Sequence, residues 1–249
     1  MASERSAALV TGASRGLGAA IARRLAAHGW AVAVNYRSSE RQAQQVVDSI
    51  RRAGGVADAL GADVTDETEV ADLVEETADR LGPVEVVVAN ATGPQPAVPI
   101  DDLTWEAHLD QLRFFVKSPT LLLGATLPGM TARGRGRVIH IGSDAIARAQ
   151  PAASHSAAAK AAQLALTRAW ARGLGARGIT VNMVAPGWIP VERHTHASAD
   201  ALRRYRADVP VGRMGVPDDV AGVVAFLASD DAAFITGQLI TVNGGHTLG

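Results

Sequence analysis

Cysteine is absent from the 249-residue chain, which excludes disulfides, thiolate nucleophiles and thiolate metal sites together and leaves the redox compartment unconstrained. Neither sign of charge is in excess. With 24 Lys and Arg against 25 Asp and Glu, no broad positive field exists to concentrate nucleic acid or an anionic membrane. Uninterrupted apolar runs stay well short of the roughly 20 residues a membrane-spanning helix needs. The first residues, Met1 to Arg5, carry Glu4 and lead straight into an apolar strand, unlike a secretory leader. The expectation is a soluble, cytoplasmic protein that binds neither nucleic acid nor membrane. Lysine is scarce as well: Lys117 and Lys160 are the two in the chain. Abundant alanine beside that scarcity is the bias of a GC-rich genome.

What is present is a regular alternation. Short apolar, β-branched runs recur near Ala7–Thr11, Ala31–Asn35, Val56–Gly61, Val84–Ala89, Arg137–Ile141, Thr180–Val184 and Leu239–Val242, separated by longer amphipathic stretches. Strand–helix–strand units of this kind build a parallel sheet, and strands apolar on both sides imply helices on both faces. The fold expected is α/β: a three-layer, doubly wound parallel sheet of about seven strands. A hydrophobic fraction of 47% and the lack of any linker, repeat or low-complexity tract assign residues 1–249 to one domain. Helix stops fall at Gly29, at Gly54-Gly55 and at Gly82-Pro83, and Asp66 with Glu69 reads as a capping box. Between Pro186 and about Ala199 the chain is too polar and proline-rich for sheet, and residues 186–210 are expected to form a lid over a substrate. The basic run Leu202 to Arg206, balanced by Asp200 and Asp208, reads as a solvated helical face.

Thr11-Gly12-Ala13-Ser14-Arg15-Gly16-Leu17-Gly18 follows the first strand and opens the first helix. Glycines at 12, 16 and 18 permit a tight turn and a close approach of a pyrophosphate to the helix N-terminus, where N–H groups and the dipole favour negative charge. About 20 residues on, where an NAD site places a carboxylate, this chain has Asn35-Tyr36-Arg37-Ser38. Arg37, with Arg15 and the Ser38 hydroxyl, suits a 2′-phosphate and so NADPH. Both arginines are also read as plain surface charges.

These residues resemble the short-chain dehydrogenase/reductase family over essentially the whole chain. The Thr11–Gly18 turn, Asp63-Val64, Asn90-Ala91, Ser143, Lys160, Pro186-Gly187 and the ending Gly237…Gly244-Gly245 fall in family order. The resemblance implies that Asp63 and Val64 flank the adenine, that Asn90 supports the cofactor ribose, and that Pro186 to Ile189 lie along the nicotinamide. It also implies a homotetramer built through the long fourth and fifth helices and the last strand. Family members reduce ketones with a serine, a tyrosine, a lysine four residues later and an asparagine relay. Here the serine is Ser143 and the lysine is Lys160. Ser156 stands at the tyrosine position, and Leu112 at the asparagine position.

An aliphatic alcohol is a far weaker acid than a phenol, so Ser156 can hydrogen-bond a carbonyl oxygen but is a poor proton donor. A general acid contributes ~10²–10⁴-fold, and the remaining positioning terms can sustain turnover without it. The leading expectation is an NADPH-dependent ketoreductase, with Ser143, Ser156 and Lys160 at the carbonyl and with substrate or water supplying the proton. The Ala89-Asn90-Ala91-Thr92-Gly93 variant and the missing tyrosine look like reductases that tailor aromatic polyketides, including angucyclines, so the substrate expected is a polycyclic aromatic ketone. The alternatives are an NADPH-binding structural subunit or sensor without turnover, and a dehydratase on the same scaffold. His155, one position from Ser156 and off its face, reads as solvated or as a subunit contact. His194 and His196 lack a third ligand at suitable spacing, and no metal is expected. Trp105, Phe114 and Phe115 read as core or subunit contact.

Overall fold

Seven strands form the centre of the computed structural model, which describes residues 6–148, 151–192 and 198–248. They are β1 (Ala7–Val10), β2 (Ala31–Tyr36), β3 (Val56–Gly61), β4 (Val84–Ala89), β5 (Gly136–Ile141), β6 (Ile179–Pro186) and β7 (Leu239–Val242). All pair in parallel, in the order β3-β2-β1-β4-β5-β6-β7. Parallel neighbours require crossovers, and the sequence supplies a helix for each: α1 (Gly16–Ala27), α2 (Glu40–Arg52), α3 (Glu67–Leu81), α4 (Trp105–Leu112), α5 (Ser118–Arg133), a short α6 (Ala145–Arg148), α7 (Ser154–Leu174), α8 (Ala199–Ala207) and α9 (Pro217–Ala228).

Alternate side chains of each strand feed two separate cores. Ala8 and Val10 of β1 pack with Ile21, Leu25, Val46, Val220 and Val224 under α1, α2 and α9. Ala7 and Leu9 pack with Val70, Leu73, Leu122, Met130 and Leu174 under α3, α5 and α7. Covering both faces is what makes the central strands apolar throughout, the pattern already visible in the sequence. Among the described residues no helix is long and apolar enough to cross a membrane.

Two local features depart from the sequence expectation. Asp66 accepts N–H bonds from Thr68 and Glu69 at 2.9 and 3.0 Å and so caps α3, but the Glu69 carboxylate reaches the Asp63 N–H at 2.7 Å instead of closing a reciprocal box. Glu69 therefore ties the start of α3 to the end of β3. The fourth helix is also divided, because residues Arg113–Lys117 form a wide π-helical turn between α4 and α5. Pro119 lies at the start of α5. It has no N–H to give the carbonyl four residues earlier, and its ring crowds that oxygen, so the turn opens. Trp105 at the head of α4 is exposed, while Phe115 in the wide turn is buried in the core.

Candidate active site and cofactor crevice

The strand order reverses between β1 and β4, which opens a crevice at their carboxyl ends. Residues 11–15 leave β1 in a turn that holds Gly12 at φ +61° and runs into Gly16, at φ +56°, where α1 begins. A Cβ on Gly12 would stand 2.9 Å from Ala91 Cα, and one on Gly18 only 2.5 Å from the Gly12 carbonyl oxygen and 2.6 Å from Asn90 Nδ2. Both positions therefore exclude any larger residue. The Thr11 hydroxyl accepts the N–H groups of Asn90 and Ala91, each at 3.0 Å, and donates to Val88 at 3.2 Å. Asn90, expected beneath a ribose, donates its amide to the carbonyls of Thr11 (2.8 Å) and Gly12 (3.2 Å) and so braces the turn. Asn35 was not foreseen in a bracing role. Its Oδ1 takes the Gly12 N–H at 3.2 Å while its Nδ2 donates to Leu60 and Ala62. No side chain caps α1, whose N-cap position is the extended Arg15. A cavity of about 450 Å³ beside the turn is lined by Ser14, Arg15, Gly16, Val191 and Glu192, among others. Leu17, half-buried, packs against the core beneath.

At the end of β2, Arg37 and Ser38 are exposed, and Arg37 pairs with Asp63 beyond β3 at 3.6 Å. Burial pulls the Asp63 carboxyl upward, but Thr65 and Arg37 outweigh it and hold the group below its ordinary range. The contact uses one nitrogen of the guanidinium fork, which has five donors. Val64 beside Asp63 is buried in the core under α3, α5 and α7.

The other half of the crevice holds the reactive side chains. Ser143, after β5, accepts the Ala145 N–H at 3.1 Å, which leaves its own proton to donate. Ser156 is buried at the start of α7, and its hydroxyl donates back to the Ala153 carbonyl at 3.0 Å. Its proton is thus committed to the backbone. One turn later Lys160 is buried, with Nζ 3.4 Å from Gln95 Oε1 and 5.2 Å above the Phe115 ring. Gln95 in turn donates to the Thr92 hydroxyl at 2.7 Å. Sequence reasoning missed Gln95, since a glutamine in a proline-rich loop carries no motif. Leu112 is half-buried, and its neighbour Gln111 donates to the Pro94 carbonyl at 2.9 Å.

His155 is a correction. It was expected to be solvated or at a subunit contact, and it is 1% exposed. Burial, and then the nearby His108, push its pKa down. The segment before α7 folds against the proline-rich loop after β4, joined by the Val98 N–H to the Ala152 carbonyl at 2.8 Å, and that packing covers the ring. The basic run on α8 is corrected in part: Arg203, Arg204 and Arg206 are exposed, but Tyr205 is buried. His194 and His196 lie outside the described residues. Among the described residues no group of three or more His, Cys, Asp or Glu is placed to hold a metal ion.

Pro186 ends β6 with its carbonyl accepting the Asp144 N–H at 3.1 Å, and the Gly187 N–H donates to Val242 at 3.0 Å. Ile189 turns its side chain into the core under α1, α2 and α9. The Trp188 N–H donates to the Tyr205 hydroxyl at 2.8 Å, and the two rings meet edge to face at 5.4 Å.

Comparison with known proteins agrees with this geometry. A family model described as enoyl-(acyl carrier protein) reductase matches residues 12–247. A 3-oxoacyl-[acyl-carrier-protein] reductase, FabG, of Staphylococcus aureus is 39% identical over 241 residues, covering 96% of each chain. An uncharacterized oxidoreductase of Methylorubrum extorquens is 40% identical over 245 residues, 97% of this chain and 98% of that one. Among solved structures, a blue fluorescent protein from a metagenomic library in complex with NADPH superposes with a TM-score of 0.89 at 38% identity, covering 98% of both chains. A putative gluconate dehydrogenase from Agrobacterium tumefaciens gives a TM-score of 0.91 at 29% identity over 97% of this chain and 95% of that one. The chain belongs to the short-chain dehydrogenase/reductase family, a family of oxidoreductases.

Proposed function

We propose that this protein is an NADPH-dependent ketoreductase whose substrate is a polycyclic aromatic, polyketide-type ketone. The observation that carries the reading is the pair Ser156 and Lys160: a hydroxyl turned onto the Ala153 carbonyl, one helical turn from a buried ammonium, where family members have a phenol. A carbonyl at this site receives a hydrogen bond from Ser143 but no proton from a tuned acid. Ketones with an adjacent aromatic hydroxyl or an enolisable neighbour meet that demand, because the substrate or a water can supply the proton. The loss of the acid then costs about 3–5 kcal/mol on ordinary ketones and much less on these.

The residues present fit NADPH. Glycines 12, 16 and 18 leave a cradle that a Cβ would fill. Ser14, Arg15 and Leu17 surround the diphosphate position, Arg37 and Ser38 stand ready for the 2′-phosphate, and Asp63 and Val64 border the adenine. Asn90 and Ala91 lie under the ribose and Lys160 binds its hydroxyls. Pro186, Gly187 and Ile189 run along the nicotinamide. When bound, NADPH supplies a hydride to the carbonyl carbon. The solved relative named with NADPH supports this choice. Residues 186–192 and 198–210 serve as the described part of the substrate-side lid, the expected lid residues 193–197 lying outside the described residues, and four copies assemble.

The relatives named as 3-oxoacyl-[acyl-carrier-protein] reductases favour a second reading, a 3-oxoacyl thioester as substrate, which is also an enolisable ketone. One assay separates the possibilities: NADPH oxidation with a hydroxylated polycyclic ketone or quinone, a 3-oxoacyl thioester and cyclohexanone. The expected order has the polycycle at least ~100-fold above cyclohexanone in kcat/KM. Thioester turnover above the polycycle moves the assignment to the second reading. Equal turnover of cyclohexanone removes substrate-assisted protonation, and NADPH binding without any oxidation selects a non-redox binding protein. In the same assay Ser156→Tyr should raise the rate on cyclohexanone selectively.

A further inference from the structure

Asp144 follows Ser143 directly, and its side chain is wholly buried. One carboxylate oxygen is held by Arg148 Nε at 2.9 Å, and the other faces Asn243 Nδ2 at 3.3 Å and His246 Nδ1 at 3.7 Å. Asn243 is itself fixed, donating to the Thr247 hydroxyl at 2.8 Å and accepting the Gly245 N–H at 3.1 Å. The Tyr205 ring lies 4.4 Å from the His246 ring and 6.0 Å from the Arg148 guanidinium. Its hydroxyl receives the Trp188 N–H, and the place where a Cβ on Gly187 would sit is 2.5 Å from that oxygen and 2.7 Å from Asn243 Cβ. The buried carboxylate thus joins α6 to the residues after β7, the Asp144 N–H reaches the Pro186 carbonyl at the end of β6, and Tyr205 of α8 lies against the His246 ring and the Arg148 guanidinium that the carboxylate holds.

Apolar side chains of similar size would hold these elements together at least as strongly, because burying an ion pair costs much of what its attraction returns. What a buried, hydrogen-bonded pair adds is directional: it admits one arrangement of its partners and penalises the rest. The Asp144 N–H donates to the Pro186 carbonyl, and Tyr205 and Asn243 close the space beside Gly187. Through these contacts the group can act on the placement of Ser143 and of the backbone at 186–188.

We propose that Asp144 is a positioning residue: its carboxylate seats α8 and the post-β7 residues against the strand ends, and thereby fixes Ser143 and the 186–188 backbone on which the reactive end of the cofactor rests. The inference rests on the functional reading above, and the experiment keeps the two apart. Asp144→Asn keeps the shape and removes the charge, and Tyr205→Phe removes only the oxygen that holds Trp188. Three readouts are compared with the parent protein: affinity for adenosine 2′,5′-bisphosphate, amide hydrogen exchange with and without NADPH, and the rate of hydride transfer in a single turnover. In both variants the bisphosphate should bind within about twofold of the parent, because it occupies the Arg37 end. Exchange at 187–189 and 243–247 should quicken, and NADPH should slow it less than in the parent, while hydride transfer falls ~10–100-fold. The double variant should lose less than the product of the single losses.

Unchanged exchange at 187–189 in both variants overturns the proposal, as does exchange that quickens equally across β1–β3 with bisphosphate affinity falling alongside. Should Asp144→Asn fail to fold, Tyr205→Phe alone decides by the same criteria. A parent protein that binds NADPH but reduces no carbonyl defeats the functional reading, and the exchange measurements still judge Asp144.

Discussion

Ser156 and His155 are consecutive residues that the sequence treats alike and the fold does not. The i, i+4 spacing to Lys160 made the Ser156 position legible, but the direction of its hydroxyl depends on where the Ala153 carbonyl lies, which no spacing reports. His155 lay correctly off that face, yet its burial depends on a loop distant in sequence. His140 is a third case, in β5, wholly buried with Nδ1 2.8 Å from the Thr167 hydroxyl. Burial lowers its pKa from 6.5 to about 3. Below the unfolded value the open chain takes up a proton that the folded protein refuses, so stability present above about pH 6.5 is lost as the pH falls toward 3. Between pH 6.5 and 5 this residue alone should remove up to about 2 kcal/mol. Urea unfolding at a series of pH values should show that slope, and a His140→Gln variant should show it reduced by one proton; an unaltered slope would assign the acid sensitivity elsewhere.

Among the elements, strands and helix stops were legible because each depends on neighbours in sequence: β-branched runs for the seven strands, Gly29 and Gly82 for the ends of α1 and α3. The cap at Asp66 was legible for the same reason. Replacing it with alanine removes two N–H bonds from the first turn of α3 and should lower stability by about 1 kcal/mol in denaturant unfolding. The partner of Glu69 was not legible, since the Asp63 N–H is brought to it by the β2–β3 pairing. Nor was the wide turn at Arg113–Lys117, although Pro119 announced that a backbone bond would be missing there. That turn sets Phe115 beneath Lys160, so an element-scale irregularity fixes the surroundings of the site's one buried ammonium among the described residues.

The molecule as a whole carries its nucleotide features on β1–β3 and its reactive ones on β4–β7, with Thr11 and Asn90 bridging the seam. The glycine turn made the first half readable from a single contiguous motif. The second half is assembled from residues as distant as Asp144 and Asn243, which is why its supporting groups escaped notice. β7 is an outer strand of the sheet, its four residues half-buried, and Phe234 before it is fully exposed. A tetramer should cover this edge, so light scattering should return about 103 kDa, four times 25.8 kDa; a mass near 26 kDa would refute the assembly. Because every strand pairs in parallel with its neighbour, the described residues offer no hairpin to start the sheet quickly. Each pairing must wait for an intervening helix to form and dock, and loop closure is paid before the contacts repay it. Refolding should accordingly be slow and leave the half-assembled chain with bare apolar edges, so dilution and low temperature should favour recovery over aggregation.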